Sequence, residues 1–282
     1  MNRWLLTPIA AALMSAPLLG AAADNSESTS SADTDAPSVE HVVVRGAYFG
    51  QKTATGVKTP TLLVNVPQSV SIMTAEQFAE QAMTSVTEVL QYSPGVSLGQ
   101  GEDHRDQITI RGQNTTADFF IDGLRDDVQY FRPLYNLERV EILRGSNALL
   151  FGRGGGGGVV NRVTKTADVN DSFTELAAGL DSFGANVVTV DTNIALDGQQ
   201  ALRINGMVES MENHRDFKDG DRWAINPTYT LALSDRTQLV ASWETVDDER
   251  VVDRGNPSIN GVPLEGYDET FFGDRHRNFT TL

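Results

Sequence analysis

The sequence offers little for catalysis. Its four histidines, His41, His104, His214 and His276, are scattered, and it has no cysteine. Neither a metal-binding triad nor a nucleophile–base pair emerges from that spacing, so no enzymatic activity and no resident cofactor or metal is expected. The run GRGGGGG at 152–158 invites a phosphate-cradle reading, because Gly-rich loops turn backbone N–H groups toward anions. It lacks the Lys-Ser/Thr pair of a P-loop and leads into the strand-like VVNRV (159–163) instead of a helix, which argues against nucleotide. A third stretch is EHVVVRG at 40–46, strongly β-prone, at the end of DNSESTSSADTDAPS (24–38). That tract has almost nothing to bury and is expected to be a disordered linker. A short strand former on a polar tether suits two roles: adding an edge strand to a partner's sheet, or forming a peripheral strand of its own domain.

Composition bounds the partners. A formal charge of −16 is the wrong sign for neutralising phosphates, which excludes nucleic acid. Arg3 precedes the apolar run LLTPIAAALMSAPLL (5–19), and Ala21-Ala22-Ala23 supplies a small-residue cleavage site. Residues 1–23 therefore read as a secretory signal peptide and the protein as exported. Beyond it no apolar run approaches the roughly 18 residues of a helical membrane span.

The elements that must hold any site divide into two regions. In the first, Thr74-Ala-Glu-Gln77 and Ser85-Val-Thr-Glu88 each have the form of a capping box, in which hydroxyl and carboxamide or carboxylate satisfy orphan N–H groups reciprocally. Val86, Val89 and Leu90 fall on one face of the second helix, and Pro94-Gly95 stops it. Short strands are expected at 108–112, 118–123 and 139–143, so the region mixes helices with a small sheet.

From Asp171 the period changes to two. Val188, Val190, Ile194 and Leu196 alternate with Thr189, Asp191 and Asn193; Leu202, Ile204 and Val208 alternate with Arg203, Asn205, Met207 and Glu209. The same pattern covers AINPTYTLAL (224–233) and LVASWETV (239–246), and more weakly SFTELAAGL (172–180). Links at 197–200 and 234–237 are short, while 212–221 and 249–276 are long, the asymmetry of an outer-membrane β-barrel. A soluble antiparallel sandwich also alternates. Five strands to residue 248 and a sixth beginning at 277 cannot enclose a domain of this size, since a plugged lumen takes about 22 strands. Either the chain is a fragment of a barrel protein or the barrel reading fails.

Residues 107–166 carry IRG (110–112), FIDG (120–123), NLERVEILRG (136–145) and LLFGRGGGGGVVNRVTK (149–165), preceded by VPQSVSIMTAEQF (66–78) and VLQYSPGV (89–96). In this order they resemble the plug domain of TonB-dependent outer-membrane receptors. GQNTTADFFIDGLRDDVQYFR (112–132) with the glycine run resembles the ferric-catecholate type within that family. The resemblance implies an α+β plug domain, a small mixed sheet with short helices, over 47–167, followed over 168–282 by the first strands of an incomplete transmembrane β-barrel. It implies uptake of a ferric siderophore across the outer membrane of a Gram-negative bacterium, as a monomer embedded in outer-membrane lipid. Residues 39–46 resemble the TonB box, with Glu40, His41, Val42, Val43 and Val44 binding TonB of the TonB–ExbB–ExbD complex. The alternative is a secreted or periplasmic ligand-binding module that does not transport.

Site residues follow from the same resemblance. The loops at 99–106 and 125–135 mix Arg with aromatics, which suits an anionic complex bearing aromatic rings. Arg105, Tyr130, Phe131, Arg132 and Tyr135 are the expected ligand contacts, with His104 a lesser candidate. Arg111 and Arg144 are expected to contact the barrel wall through carboxylates on strands beyond Leu282, with Glu138 and Glu141 as local alternatives and solvated surface positions as the bland reading.

Overall fold

A computed structural model describes residues 53–54, 61–62, 65, 69–99, 101–145, 151–152, 157–234 and 237–282. The signal peptide, the linker, the Glu40–Val44 segment and residues 153–156 of the glycine run lie outside these. In chain order the first strands are β1 (Thr53–Ala54) and β2 (Thr61–Leu62), a small antiparallel pair, then β3 (Ser69–Thr74). Both expected capping boxes form. Thr74 Oγ1 accepts from Gln77 N at 3.4 Å while Gln77 Oε1 accepts from Thr74 N at 2.9 Å, opening α1 (Ala75–Glu80). Ser85 and Glu88 exchange the same two bonds at 3.3 Å and open α2 (Val86–Gln91). The expected apolar face of α2, Val86, Val89 and Leu90, is wholly buried.

A three-stranded antiparallel sheet of β4 (Val96–Gly99), β5 (Gln107–Ile110) and β6 (Gln113–Thr115) follows. Strand β5 stops at Ile110, one residue before the expected arginine, because Arg111 (φ 50°) and Gly112 (φ 81°) turn the chain in the left-handed region. Then come β7 (Phe119–Ile121), β8 (Leu124–Arg125), β9 (Leu137–Arg144) and β10 (Gly158–Thr164). With β3 they make a five-stranded sheet in the order β3-β9-β10-β7-β8, in which only β10 and β7 run parallel. Alternation across this sheet sorts its two faces. Phe119, Val140, Ile142 and Val160 pack with α2 and Ile108; Phe120, Leu143 and Val159 pack with Phe151. Each such side chain contributes about 1.5–3 kcal/mol by leaving water.

The second region is an open antiparallel sheet: β11 (Phe173–Leu180), β12 (Asn186–Ala195), β13 (Gln200–Met211), β14 (Gly220–Ser234), β15 (Thr237–Ser242), β16 (Thr245–Val251) and, after the small hairpin of β17 (Ser258–Ile259) and β18 (Val262–Pro263), β19 (Phe279–Thr281). β11 and β19 stand at its edges. Its faces are inverted relative to a soluble sandwich. Asp191, Asn193, Asn205, Asn226, Thr228 and Thr230 are buried, whereas Val188, Ile194, Leu196, Val208, Leu233 and Leu239 are exposed. Polar residues inward and apolar residues outward is the arrangement of a strand wall facing lipid around a filled lumen.

Two features of this sheet depart from the sequence reading. LVASWETV is divided: β15 and β16 are separate ladders on the single long strand β14. Pro227 lies on β14 opposite the break, where it accepts from Trp243 N at 3.1 Å and has no N–H to return. The Asn226 side chain donates instead to Trp243 O at 2.8 Å. The long link after β16 also contains the β17–β18 hairpin, turned by Asn260 and Gly261 at positive φ; the Asn-Gly pair in the sequence was its signal.

The end of the glycine run packs against backbone. A Cβ at Gly157 would lie 2.0 Å from Ile110 O, whereas one at Gly99 would meet only the Gln107 side chain, at 2.9 Å. Gly157→Ala is expected to destabilise the domain by about 1–3 kcal/mol through overpacking. Gly99→Ala should cost less, because a side chain can yield where a carbonyl cannot. Urea unfolding midpoints compare the two, and equal losses contradict the argument.

Candidate functional site

The loops at 101–106 and 125–136 meet above the five-stranded sheet and are organised by one buried side chain. Arg132, whose side chain has 0% exposure, donates from Nε to Asp126 Oδ2 at 2.8 Å and from Nη1 to Asp106 Oδ2 at 3.3 Å. Its remaining donors reach the carbonyls of Tyr130 (3.3 Å), Asp126 (3.2 Å) and Val128 (2.6 Å). The guanidinium lies 4.1 Å from the centre of the Phe119 ring. Asp106 also accepts from Arg132 N at 3.0 Å and from Thr87 Oγ1 at 2.7 Å, which ties the loop to α2. Asp126 is shared with Arg162 of β10, which donates at 3.2 Å to the Tyr130 hydroxyl as well. Burial pushes the Tyr130 hydroxyl above its ordinary pKa, so it stays protonated and donates to Asp126 at 3.3 Å.

Below and beside this network the first region is fastened to the strand wall. Tyr135 Oη and Asn136 Nδ2 both donate to Glu244 Oε1 at 2.9 Å, at the break between β15 and β16. Lys165 and Arg203 converge on Asp191 at 2.8 and 2.7 Å. Arg222 donates to Phe131 O at 3.2 Å, and Arg250 lies 4.8 Å from the centre of the Phe131 ring. At the top, Asp103 accepts from Lys218 Nζ and from Asp253 N, both at 2.9 Å.

The expected ligand residues thus separate. Arg105 is partly exposed, donating to Glu102 at 3.2 Å and to Gln129, and its Nε has no partner. Tyr130, Phe131 and His104 are half-buried in the same loops. Arg132 and Tyr135 are buried. Five donors of Arg132 are committed internally, and Tyr135 packs on the wall beside Met207 and Ala224. Their loop position suggested contact with solvent; the acids that bury them, Asp106, Asp126 and Glu244, decide otherwise. Those acids were legible only as residue types, because the spacing of Asp106 and Asp126 from Arg132 does not announce a contact across two loops.

Arg144 is buried at the end of β9. It donates to Pro94 O at 2.6 Å and to Ser71 Oγ at 2.5 Å, and its Nε has no partner. Arg111 is exposed, with Nη1 3.3 Å from where a Cβ on Gly145 would lie. Burial first, and then Arg111, lowers the Arg144 pKa. No ion pair engages either arginine among the described residues. The local alternative Glu141 is taken by Arg139 at 2.9 Å. Also among the described residues, no group of three or more His, Cys, Asp or Glu side chains is placed to hold a metal.

Comparison with known proteins agrees with this architecture. Residues 63–159 match the TonB-dependent Receptor Plug Domain family. The chain is 32% identical to the probable TonB-dependent receptor BfrD of Bordetella pertussis, over 96% of this chain and 36% of that protein. It is 31% identical to the ferrichrome outer membrane transporter/phage receptor of Escherichia coli, over 67% of this chain and 27% of the other. The catecholate siderophore receptor Fiu of Escherichia coli is 27% identical, over 71% of this chain and 27% of that one. The open-form crystal structure of Fiu superposes with a TM-score of 0.70 at 23% identity, covering 79% of this chain and 35% of Fiu. The chain spans about a third or less of the length of these relatives.

Removing one partner of a buried ion network strands the others. Arg132→Ala should therefore destabilise the domain by about 3–5 kcal/mol, against less than about 1 kcal/mol for the exposed pair lost in Arg105→Ala. Denaturation midpoints of the two variants measure the difference, and similar values refute the hierarchy.

Proposed function

The chain belongs to the TonB-dependent receptors, a family of the Gram-negative outer membrane, and from that premise we propose that it binds a ferric siderophore at the apex of its plug and serves energised uptake into the periplasm. The observation that carries this reading is the pairing of a rigid buried anchor with a partly exposed cation held only by an exposed ion pair. Arg132, Asp106 and Asp126 hold two loops in place, and those loops carry the half-buried Arg105, Tyr130 and Phe131. A catecholate complex, anionic and aromatic, matches that chemistry, and Fiu, named for catecholate siderophores, is a relative. The ferrichrome transporter is a relative too, so the ligand class rests on the residues at the apex.

In this reading residues 1–23 direct export, 24–38 tether, and Glu40, His41, Val42, Val43 and Val44 add a strand to TonB of the TonB–ExbB–ExbD complex. The inner-membrane proton gradient then supplies the energy. Ligand must bind the TonB-competent state more tightly than the resting one, since equal affinity would shift nothing. The complete receptor is a monomer in lipid, and carboxylates on strands after Leu282 face Arg111 and Arg144. The outward apolar faces of β12 to β15 weigh against the soluble-module alternative, because in water they would be a large exposed hydrophobic surface.

A strain dependent on the complete receptor for ferric-catecholate iron tests this. Val43→Pro, which removes a ladder donor, should abolish iron uptake while leaving ligand binding to whole cells within about twofold. Arg105→Ala should weaken the binding itself. Normal uptake in the Val43→Pro strain would refute the TonB-box assignment, and unchanged binding by Arg105→Ala would refute the apical site.

A further inference from the structure

We propose that Glu102 is an internal counter-ion that occupies the anion position of the apical site and that an incoming anionic ligand must displace. The inference rests on the siderophore reading above and adds a requirement on the ligand's charge. Glu102 and its neighbour Asp103 are both in the left-handed region, at φ 60° and 65°, where residues other than glycine seldom sit. The corner turns the two carboxylates to different tasks. Asp103, largely covered, holds Lys218 of the β13–β14 loop and the backbone N–H of Asp253 beyond β16. Glu102, 46% exposed, bridges two arginines. Its Oε2 lies 3.2 Å from Arg105 Nη2 and its Oε1 3.5 Å from Arg254 Nη2.

Exposure separates the pairs that can exchange from those that cannot. Arg132 and its acids are sealed from solvent and have no donors to offer. The Arg254 side chain is 70% exposed and that of Arg105 22%. Solvent-exposed ion pairs are weak, so a ligand bringing several negative oxygens outcompetes a single glutamate for both guanidinium groups. A neutral chelate does not have that advantage. Displacement also severs the Glu102 link to the loop after β16 while the Asp103 link persists. The plug apex is then released from that loop on one side only. Glu102 is accordingly a specificity-determining residue, because its displacement is a cost that anionic iron complexes bear and neutral ones do not.

The test uses the complete receptor in detergent with two probes, an iron(III) tris-catecholate trianion and an uncharged iron(III) tris-hydroxamate, read by quenching of tryptophan fluorescence. Asp127→Asn is the control for generic charge, since Asp127 is an exposed apical acid that pairs with Arg125 at 3.5 Å and touches neither Arg105 nor Arg254 among the described ion pairs. Glu102→Gln should tighten the trianion by about three- to fivefold, the value of one exposed ion pair, and leave the neutral complex within twofold. Asp127→Asn should change neither by more than twofold. Unchanged or weaker trianion binding by Glu102→Gln, with wild-type binding intact, overturns the inference alone. Equal tightening in Asp127→Asn, or for the neutral complex, overturns it too, by reducing the effect to net charge or access. Failure of wild type and variants to bind either iron complex overturns the siderophore reading and this inference with it.

Discussion

A guanidinium sealed from water is tolerated only where every donor finds an acceptor, and the apex of this domain is built to meet that condition for Arg132. Three of its acceptors are carbonyls of residues 126, 128 and 130. The loop therefore curls around the side chain of a residue at its own end, and its course is set by where that side chain is. Asp106 brings the second loop to the same point and Thr87 brings α2. Apolar side chains of matching volume often replace buried ion pairs without loss. Here such a replacement would leave three loop carbonyls without donors, so the charge also serves as backbone support.

The strand wall solves a related problem on the other side of the interface. A carboxylate must reach inward from a hydrogen-bonded ladder to take Tyr135 and Asn136. The ladder opens where Glu244 sits, between β15 and β16, and the gap lies opposite Pro227, which lacks the N–H the ladder would use. Asn226 repairs the loss from its side chain, donating to Trp243 O and Ser242 Oγ. Its neighbours across the sheet, Asn205 and Asp191, share its inward row. The result is a polar stripe facing the plug under a largely apolar exterior, which a regular two-residue alternation alone would also produce. The break adds a seat at one position on it.

What the sequence disclosed follows the range of the forces involved. Capping boxes at Thr74 and Ser85 are contacts three residues apart, and both were readable with their bonds. The inverted strand faces were readable as a period. The order β3-β9-β10-β7-β8 was not, because parallel pairing of β10 with β7 joins residues about forty positions apart with no local mark. Site residues divide the same way. Arg105, Tyr130 and Phe131 could be placed on loops. Whether a given arginine on those loops is buried or free depends on an aspartate elsewhere in the chain, and Arg132 and Arg105 look alike until Asp106 is located. The division of LVASWETV escaped because its cause, Pro227, lies on the neighbouring strand.

The acidity of the chain and of its apex is of the sign that repels an anionic ligand. Local pairing removes that objection. Asp106 and Asp126 are matched by Arg132 and Arg162, Asp103 by Lys218, Asp127 by Arg125, and Glu102 by Arg105 and Arg254. A ligand approaching within a Debye length, about 8–10 Å, meets this balanced surface more than the distant net charge. What distinguishes the pairs is then their solvation. Burial makes an ion pair costly to break, and exposure makes it cheap to exchange, so the depth of each carboxylate decides whether it shapes the site or contends for the ligand. A surface of low local net charge can therefore still select by charge, provided its weakest pair is the one the ligand meets first.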